Sequence, residues 1–293
     1  RFVGNACPPE QLRLMERFAS EHPDRVDEVL DVSSTAMLRH GDCLDAVLRT
    51  RDDGDFFCFV DPDIFARGPF MPLFAGLLEE HAAVTSGKEL WSTTNVRPDG
   101  HPGVNGEYFF DRDGFVFGSP HLALYHRDAL QATVDRWSVG FSSAGDDVSD
   151  GARARMAEVG RDYWIYDTGK IVNILLQADG ASLVHEEHPD LIHVGGVSHY
   201  LAPPTAATSR SGEGQALWGE EPDWGTWEGM ADRFAVARYC AVTLRALGAG
   251  HDAPPVPDEL NPQIRERIDT LRADLVDLVA RHGADRTVAE VEP

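Results

Sequence analysis

The chain has 293 residues and a formal net charge of −23, because 49 acidic residues outnumber 26 basic ones. Such an excess of carboxylates excludes the usual nucleic-acid and anionic-membrane binders, whose phosphate recognition depends on clustered Lys and Arg side chains. No apolar run approaches the roughly 20 residues that a membrane span requires, so we expect none. The scattered cysteines, without a Cys-x-x-Cys pair, indicate buried, reduced thiols in a cytoplasmic protein.

The first part of the chain alternates between strand-like and helix-like segments. Apolar runs with the composition of strands lie at residues 1–6, 26–32 and 55–60. Apolar residues at helical spacing follow Pro9 and His40. This order of strand, helix, strand, helix, strand predicts a parallel sheet with right-handed crossovers. We therefore expect an α/β fold with a mostly parallel central sheet flanked by helices.

The middle of the chain continues this pattern after a long irregular stretch. The sequence predicts a helix over residues 69–81 and a short strand over residues 82–86. Residues 91–113 are rich in Asn, Gly and Pro, which is typical of a loop. Loops of this length in compact domains are commonly functional. Further strands and helices are expected from residue 115 to residue 184.

The third predicted strand ends in two carboxylates, in the segment Phe59-Val60-Asp61-Pro62-Asp63. Its apolar run is unbroken, so we expect a strand buried on both faces, with the aspartates at its carboxyl end. Open α/β sheets bind their ligands at that edge. Two neighbouring carboxylates repel each other, and a divalent cation between them relieves the repulsion. The alternative is a polar turn after the strand, with Pro62 as a turn residue.

The segment after Pro203-Pro204 differs from the rest in composition. Residues 205–228 are rich in Ser, Gly, Glu and Trp, which we interpret as a linker or flap. Amphipathic helices follow at residues 230–247 and 262–282, and each must bury an apolar stripe. We therefore divide the chain into an α/β part, residues 1–203, and a helical C-terminal extension, residues 204–293. Two copies of the chain could associate through these helices as a homo-oligomer.

Three segments resemble those of glycosyltransferases of the GT-A fold, which transfer a sugar from a nucleotide-sugar donor. His40-Gly41-Asp42-Cys43-Leu44-Asp45-Ala46-Val47 resembles the Gly-containing helix before the family's metal-binding strand. Phe59-Val60-Asp61-Pro62-Asp63 looks like its Asp-x-Asp motif. His193-Val194-Gly195-Gly196 is similar to a later loop that supplies a histidine metal ligand in several such enzymes. The resemblance covers residues 1–202 and none of the tail.

The chain departs from the family at two points. A strand and helix usually open the fold, with a loop that touches the nucleobase, and this unit is not among these residues. Relatives with inverting chemistry often carry Asn where this chain has Asp45. The subfamily, and whether the anomeric configuration is retained or inverted, therefore stays open.

The resemblance implies a metal-dependent glycosyltransferase whose donor is a nucleoside-diphosphate sugar, with UDP-sugars favoured, and whose acceptor carries a hydroxyl group. Asp63 would bind Mn²⁺ or Mg²⁺ directly, and His193 would complete the coordination shell of the ion. Asp61 would contact the ribose or reach the metal through water. The sharpest expectation is that Asp63 and His193 lie within one metal's coordination shell. The structural alternative for His193 is a buried, hydrogen-bonded residue at a strand end.

Other residues receive roles from the same resemblance. Gly195 and Gly196 would let backbone amides approach the diphosphate, although a Gly-Gly turn explains them equally well. Asp167 would be the general base on the acceptor hydroxyl of an inverting enzyme, and as an N-cap of the following helix it also has a structural explanation. Lys170, one turn into that helix, would meet a phosphate or point into solvent. Trp164 is suited to sugar stacking or to core packing.

Two other functions remain open. An apolar strand that ends in Asp-x-Asp also resembles haloacid-dehalogenase-type phosphatases, in which Asp61 would be the nucleophile and Asp63 the acid/base. Against this interpretation, two α/β units precede the motif instead of following it. A non-catalytic protein that binds a nucleotide sugar or glycan would use an aromatic surface that includes Trp218 and Trp224. It would need neither a metal nor Asp167.

Overall fold

The computed structural model describes residues 1–33, 36–52, 54–197 and 227–282. Its strands are β1 (Phe2–Asn5), β2 (Val29–Ser33), β3 (Phe56–Val60), β4 (Ile64–Ala66), β5 (Ala83–Ser86), β6 (Gly103–Val104), β7 (Leu122–His126), β8 (Ile165–Tyr166), β9 (Leu183–His185) and β10 (Leu191–His193). Its helices are α1 (Pro9–Glu21), α2 (His40–Thr50), α3 (Met71–Leu78), α4 (Arg127–Trp137), α5 (Asp150–Glu158), α6 (Lys170–Ala178), α7 (Asp232–Gly248) and α8 (Pro262–His282). Strands and helices alternate over most of the chain, as an α/β fold requires.

The central sheet has four strands in the order β3-β7-β5-β9. Strands β5 and β9 run parallel, whereas β7 lies antiparallel to both β3 and β5. Smaller sheets pair β1 with β2, β4 with β10 and β6 with β8. Of these pairs, β4 and β10 run antiparallel and the other two run parallel. The α/β class is confirmed, but the prediction of a mostly parallel central sheet is wrong.

The direction of β7 follows from the connection that precedes it. The chain leaves β5 at Ser86 and reaches Leu122 of β7 without an intervening helix, so it re-enters the sheet at the edge where β5 ended. In the ladder, Leu122 lies opposite both Ser86 of β5 and Val60 of β3. A parallel strand would have needed a crossover to the opposite edge, usually through a helix. The long connection therefore returns the chain at the same edge as the ends of β3 and β5.

Strand β3 is buried on one face rather than on both. Phe57 packs into the main core, whereas Phe56 and Val60 are 47% and 55% exposed. Cys58, on the same outer face, is also exposed and is not the buried thiol that we expected. Helix α3 covers the outer face of β5 and β7, and among the described residues β3 contributes none to that cluster. The end position of β3 in the sheet thus leaves its outer face uncovered.

Helix α2, which precedes the Asp-x-Asp strand, packs closely against the loop that follows α4. The Asp45 carboxylate accepts hydrogen bonds from the backbone amides of Phe141 and Ser142, at 2.8 and 3.1 Å. It also accepts one from the Ser142 hydroxyl at 2.7 Å. One turn earlier, a Cβ atom on Gly41 would lie 2.5 Å from the Ser142 nitrogen. Gly41 and Asp45 therefore fix this helix against the loop.

Replacing Gly41 by Ala is expected to destabilise the fold by about 1–3 kcal/mol, because the new Cβ would meet backbone atoms that cannot move aside. Gly76 is the matched control, since it also lies in a helix and a Cβ there has no neighbour within 4 Å. Gly76→Ala should be neutral or stabilising by up to about 1 kcal/mol. Urea unfolding of both variants measures the difference. Equal unfolding midpoints would contradict the close packing of α2.

One face of helix α6 holds the segment that leads into β7. Lys170, Asn173 and Gln177 recur at helical spacing and each donates a side-chain hydrogen bond to one of three successive carbonyls, those of residues 116–118. Lys170 and Asn173 are buried. This ladder of hydrogen bonds fixes the course of the chain directly before β7, which is where His121 lies.

Helices α7 and α8 pack on the α/β part of the chain. Their apolar residues form a common cluster with Ile192 of β10. Arg67 pairs with Asp274 of α8 at 3.4 Å, and Arg267 of α8 donates to the Leu90 carbonyl at 2.8 Å. The apolar stripes of both helices are thus buried within one chain. They do not need a second copy to cover them, and homo-oligomer formation stays a prediction.

Part of the predicted C-terminal extension lies outside the described residues. Residues 198–226 contain the predicted boundary at residue 203 and most of the predicted linker or flap, with Trp218 and Trp224. Helix α7 begins close to the predicted position, and α8 has the predicted bounds. None of the helices described here combines the length and the apolar character that crossing a bilayer requires.

Candidate metal centre

Five side chains converge at one edge of the central sheet. Asp61 and Asp63 follow β3, Glu89 follows β5, His121 precedes β7 and His193 ends β10. Because β7 is antiparallel, its first residues lie where β3 and β5 end, and the Asp61 amide donates to the His121 carbonyl at 2.7 Å. The pairing of β4 with β10 places His193 opposite the residue that follows Asp63.

Each aspartate contacts one of the two histidines. Asp61 Oδ2 lies 2.9 Å from His121 Nδ1, and Asp63 Oδ1 lies 3.5 Å from His193 Nε2. The centres of the two imidazole rings are 4.3 Å apart. His40 of α2, which is exposed, reaches the other oxygen of Asp61 at 3.6 Å. The distance between Asp63 and His193 is compatible with one shared coordination shell, and ion binding there stays a prediction.

The second nitrogen of each histidine ring is also engaged. His121 Nε2 lies 3.0 Å from Glu89 Oε1, and His193 Nδ1 lies 2.7 Å from the Gly87 carbonyl oxygen. A carbonyl can only accept, so His193 carries a proton on Nδ1, and Nε2 is the nitrogen that faces Asp63. Histidines that bind metals typically donate their second N–H to a carboxylate or carbonyl in this way.

Asp61, His121 and His193 form the tightest group, with one ligand atom of each lying within 4.8 Å of the other two. Carboxylate oxygen and imidazole nitrogen are donors that suit divalent first-row metals, so the residues present fit such an ion. Asp63 lies beside this group, and its Oδ2 accepts a hydrogen bond from the Val197 amide at 3.1 Å. The sequence assigned Asp63 the direct contact, whereas the tight group contains Asp61 and not Asp63.

The charges of these side chains depend on one another. Burial would raise the pKa of Asp63, but hydrogen bonding and charge from His193 hold it below its ordinary range. The same balance lowers the pKa of Glu89, where His121 outweighs burial. Burial would lower the pKa of His121, yet the carboxylates of Asp61 and Glu89 raise it to about 10. In the metal-free protein, an imidazolium therefore lies between two carboxylates.

A turn after β5 supports both histidines. It contains Gly87 and Glu89, which are their hydrogen-bond partners, and Gly87 has a φ of 101°, which favours glycine. Glu187 anchors this turn, because its carboxylate accepts from the amides of Gly87 and Lys88 at 3.4 and 2.8 Å. Asn95 donates to the other oxygen of Glu89 at 3.4 Å. Residues outside the group thus fix the orientation of both rings.

Asp167 is exposed and does not cap helix α6. The N-cap position belongs to Gly169, which has a φ of 74°, and no side chain caps the helix. The Asp167 carboxylate accepts instead from the Thr168 amide at 2.7 Å, so the N-cap prediction is wrong. A Cβ on Gly106 would lie 2.8 Å from Asp167 Oδ2 and 3.6 Å from Pro120. The carboxylate thus lies near the residue before His121, and its role as a general base stays a prediction.

Lys170 is fully buried, which contradicts the exposed position expected of a lone lysine. Its Nζ donates to the carbonyls of Tyr108, at 2.7 Å, and Gly118. Burial lowers the pKa of this amine to about 7, although the charges of Asp167 and Glu89 act in the opposite direction. With its donors directed at two carbonyls, Lys170 is not placed to bind a phosphate. The predicted cofactor contact therefore gives way to a structural role.

Gly195 and Gly196 adopt φ values of 76° and 85°, which side chains rarely allow. A Cβ on Gly195 would also lie 2.8 Å from Trp91 Nε1 and 3.2 Å from the Glu89 Cγ. Trp91 Nε1 is buried and lacks a hydrogen-bond partner among the described residues. The backbone therefore requires both glycines, whereas their approach to a diphosphate stays a prediction.

His121 and Glu89 are the members of the site that the sequence did not predict. In the expected parallel sheet, a residue before a strand lies at the edge opposite to Asp61. The signal that identifies His121 is the helix-free connection from β5 to β7, because such a connection favours an antiparallel return. Glu89 lies between the strand predicted over residues 82–86 and the loop predicted over residues 91–113, in a stretch to which the sequence assigned no role.

None of the protein-family models, curated proteins or solved structures compared with this chain matches it. No relative therefore assigns a role to any residue of the metal group. The function has to be inferred from the geometry and chemistry of the site.

Proposed function

We propose that the protein is a metal-dependent glycosyltransferase that moves a sugar from a nucleoside-diphosphate sugar to a hydroxyl-bearing acceptor. The observation that carries this proposal is the pair formed by Asp63 and His193, whose Oδ1 and Nε2 lie 3.5 Å apart. An Asp-x-Asp motif alone is common. A late His-Gly-Gly segment at the same edge of the sheet is what the resemblance to the GT-A family requires.

The carboxylates and imidazoles of the site have complementary tasks in this reaction. A divalent ion bound by Asp61, Asp63 and His193 would neutralise the charge that develops on the departing nucleoside diphosphate. The lowered pKa of Asp63 keeps its carboxylate ionised at neutral pH. The Val197 amide, 3.1 Å from Oδ2, holds that carboxylate in position.

The diphosphate would rest against the loop that follows His193. The chain is strongly acidic and Lys170 is committed to backbone carbonyls, so basic side chains supply little of the binding energy. Without a Cβ, Gly195 and Gly196 would let their backbone amides approach the diphosphate, and glycine turns with positive φ can form concave anion sites. Trp91 Nε1, which has no hydrogen-bond partner in the described part of the chain, would offer one further donor near Gly195.

The acceptor would approach from the side of Asp167. This carboxylate is exposed and lies near Pro120, the residue before His121, and in an inverting enzyme it would accept the proton of the attacking hydroxyl. Trp164, three residues earlier, is 73% exposed, so the prediction of core packing does not apply to it. An exposed indole suits the apolar face of a sugar.

A thermal-shift panel tests this proposal with UDP, GDP and CDP, each with and without Mn²⁺. We expect at least one nucleotide to stabilise the protein only when Mn²⁺ is present. Ligand at about 100 times its Kd adds about 2.7 kcal/mol to the free energy of unfolding. The Asp63→Asn variant should lose this response, while its unfolding temperature without ligand serves as the control for folding.

Other outcomes favour the alternatives. A response to beryllofluoride with Mg²⁺, and none to nucleotides, would favour a phosphatase with Asp61 as the nucleophile. A nucleotide response that is indifferent to Mn²⁺ would favour a non-catalytic nucleotide-sugar-binding protein. The absence of any response to nucleotide with Mn²⁺ would contradict the transferase.

A further inference from the structure

We propose that His121 is a direct ligand of the ion, so that the centre is a two-histidine site that selects a transition metal such as Mn²⁺ over Mg²⁺. The resemblance to the GT-A family assigns one histidine, His193, and leaves His121 without a role. This inference rests on the metal centre of the proposed function and not on the transfer reaction. It concerns which atoms bind the ion and which ion they select.

The first argument is the spacing of the donor atoms. Asp61 Oδ2 and His121 Nδ1 are 2.9 Å apart, and Asp63 Oδ1 and His193 Nε2 are 3.5 Å apart. Neighbouring ligand atoms in an octahedral shell with bonds of about 2.1 Å lie about 3.0 Å from each other. In each pair, the distance between the two donor atoms is therefore close to the distance between two ligand atoms bound to one ion. The histidines come from β7 and β10 and meet with their ring centres 4.3 Å apart.

The second argument is the symmetry of the supporting contacts. Each histidine directs one nitrogen at an aspartate of the Asp-x-Asp motif and the other at the turn after β5. For His121 the outer partner is the Glu89 carboxylate at 3.0 Å, and for His193 it is the Gly87 carbonyl at 2.7 Å. Glu89 is 4% exposed and so is withdrawn from solvent. A carboxylate behind an imidazole fixes the ring and makes it a better metal ligand.

The third argument concerns the choice of metal. Mg²⁺ prefers oxygen ligands and retains several of its waters, whereas imidazole suits later divalent ions. A centre with one histidine and two carboxylates would accept either ion. A second imidazole shifts the preference towards Mn²⁺ and the ions that follow it in the affinity series. Of the two ions expected from the sequence, the two-histidine site selects Mn²⁺.

The competing account treats His121 as a structural cation that bridges Asp61 and Glu89. The two accounts differ in what happens when an ion binds. A ligand must give up the proton on Nδ1 and bond to the metal through that atom. A structural His121 keeps the protons on both ring nitrogens, and His193 is then the histidine that coordinates the ion.

Pulsed electron paramagnetic resonance of the Mn²⁺-loaded protein, without nucleotide, separates these accounts by counting directly bound nitrogens. We expect two in the wild type and one in His121→Gln. His40→Gln is the matched control, because His40 touches Asp61 at 3.6 Å but lies outside the tight group, and it should keep two nitrogens. A single nitrogen in the wild-type protein would overturn the proposal, whatever the variants do.

Electron paramagnetic resonance also measures the concentration of free Mn²⁺ during a titration, which gives the affinity of the full-length protein for Mn²⁺. Glu89→Gln should weaken Mn²⁺ binding by about 10–100-fold, as the loss of an outer carboxylate does in other metal sites. His121→Gln should weaken it further, and Mg²⁺ should displace Mn²⁺ from the wild type only in large excess. Unchanged affinity in His121→Gln, or easy displacement by Mg²⁺, would contradict the two-histidine site. Nucleotide binding plays no part in these measurements, so failure of the transferase proposal would be recognised separately.

Discussion

Replacing Asp63 by Asn is expected to lower Mn²⁺-dependent donor turnover by at least about 10³-fold, because several kcal/mol of charge stabilisation at the leaving diphosphate would be lost. Asn keeps the size of the side chain and can still accept from the Val197 amide, which lies 3.1 Å from Oδ2. It removes the negative charge that faces His193 at 3.5 Å. The loss should therefore arise from the ion and not from the fold.

Release of nucleoside diphosphate from a panel of nucleotide sugars measures this effect, since slow hydrolysis reports turnover even without the acceptor. Asp27→Asn is the matched control, because this aspartate pairs with Arg1 far from the metal group and its side chain is 82% exposed. It should retain wild-type turnover and wild-type unfolding temperature. If Asp63→Asn kept normal turnover while folded, the carboxylate would have no part in the reaction.

The second large effect is a pH-dependent contribution of Lys170 to stability. The pKa of this buried amine is about 7 in the folded chain, against 10.5 when it is unburied. Between these two values the unfolded chain binds a proton that the folded chain does not. Stability therefore rises with pH across this window, and the cost of burial is fully present below pH 7. The slope approaches about 1.4 kcal/mol per pH unit.

Urea unfolding of the wild type and of Lys170→Met between pH 7 and pH 10 tests this expectation. The variant also leaves the carbonyls of Tyr108 and Gly118 without their donor, which costs about 1–3 kcal/mol each at every pH. The difference between wild type and variant should thus shift in favour of the wild type as the pH rises.

The only other lysine of the chain provides the control for this measurement. Lys88 is exposed, so Lys88→Met should show no such pH dependence. A difference between wild type and Lys170→Met that stays constant over the pH range would show that Lys170 remains charged in the fold.

Parts of this site can be predicted from sequence because they depend on local patterns. An unbroken apolar run followed by Asp61 and Asp63 indicates a strand end, and the structure has one there. A late histidine before two glycines indicates a loop, and Gly195 and Gly196 do adopt conformations that favour glycine. These features need only short stretches of chain and the rule that strand ends gather at one edge.

The remaining parts depend on contacts between distant segments. His121 joins the site because β7 runs antiparallel between β3 and β5, and periodicity does not reveal strand direction. Lys170 looks like a surface residue because its partners, the carbonyls of Tyr108 and Gly118, lie in an irregular segment far away in sequence. The outer face of β3 is exposed because of its end position in the sheet, which an apolar run cannot show.

The most direct test of the metal centre is a crystal of the protein grown with Mn²⁺ and UDP, with anomalous diffraction measured at the manganese absorption edge. We predict one anomalous peak within bonding distance of Asp61, Asp63, His121 and His193, with the diphosphate against Gly195 and Gly196. Bound nucleotide without a peak at this position, or a peak elsewhere in the molecule, would contradict the metal-dependent transferase.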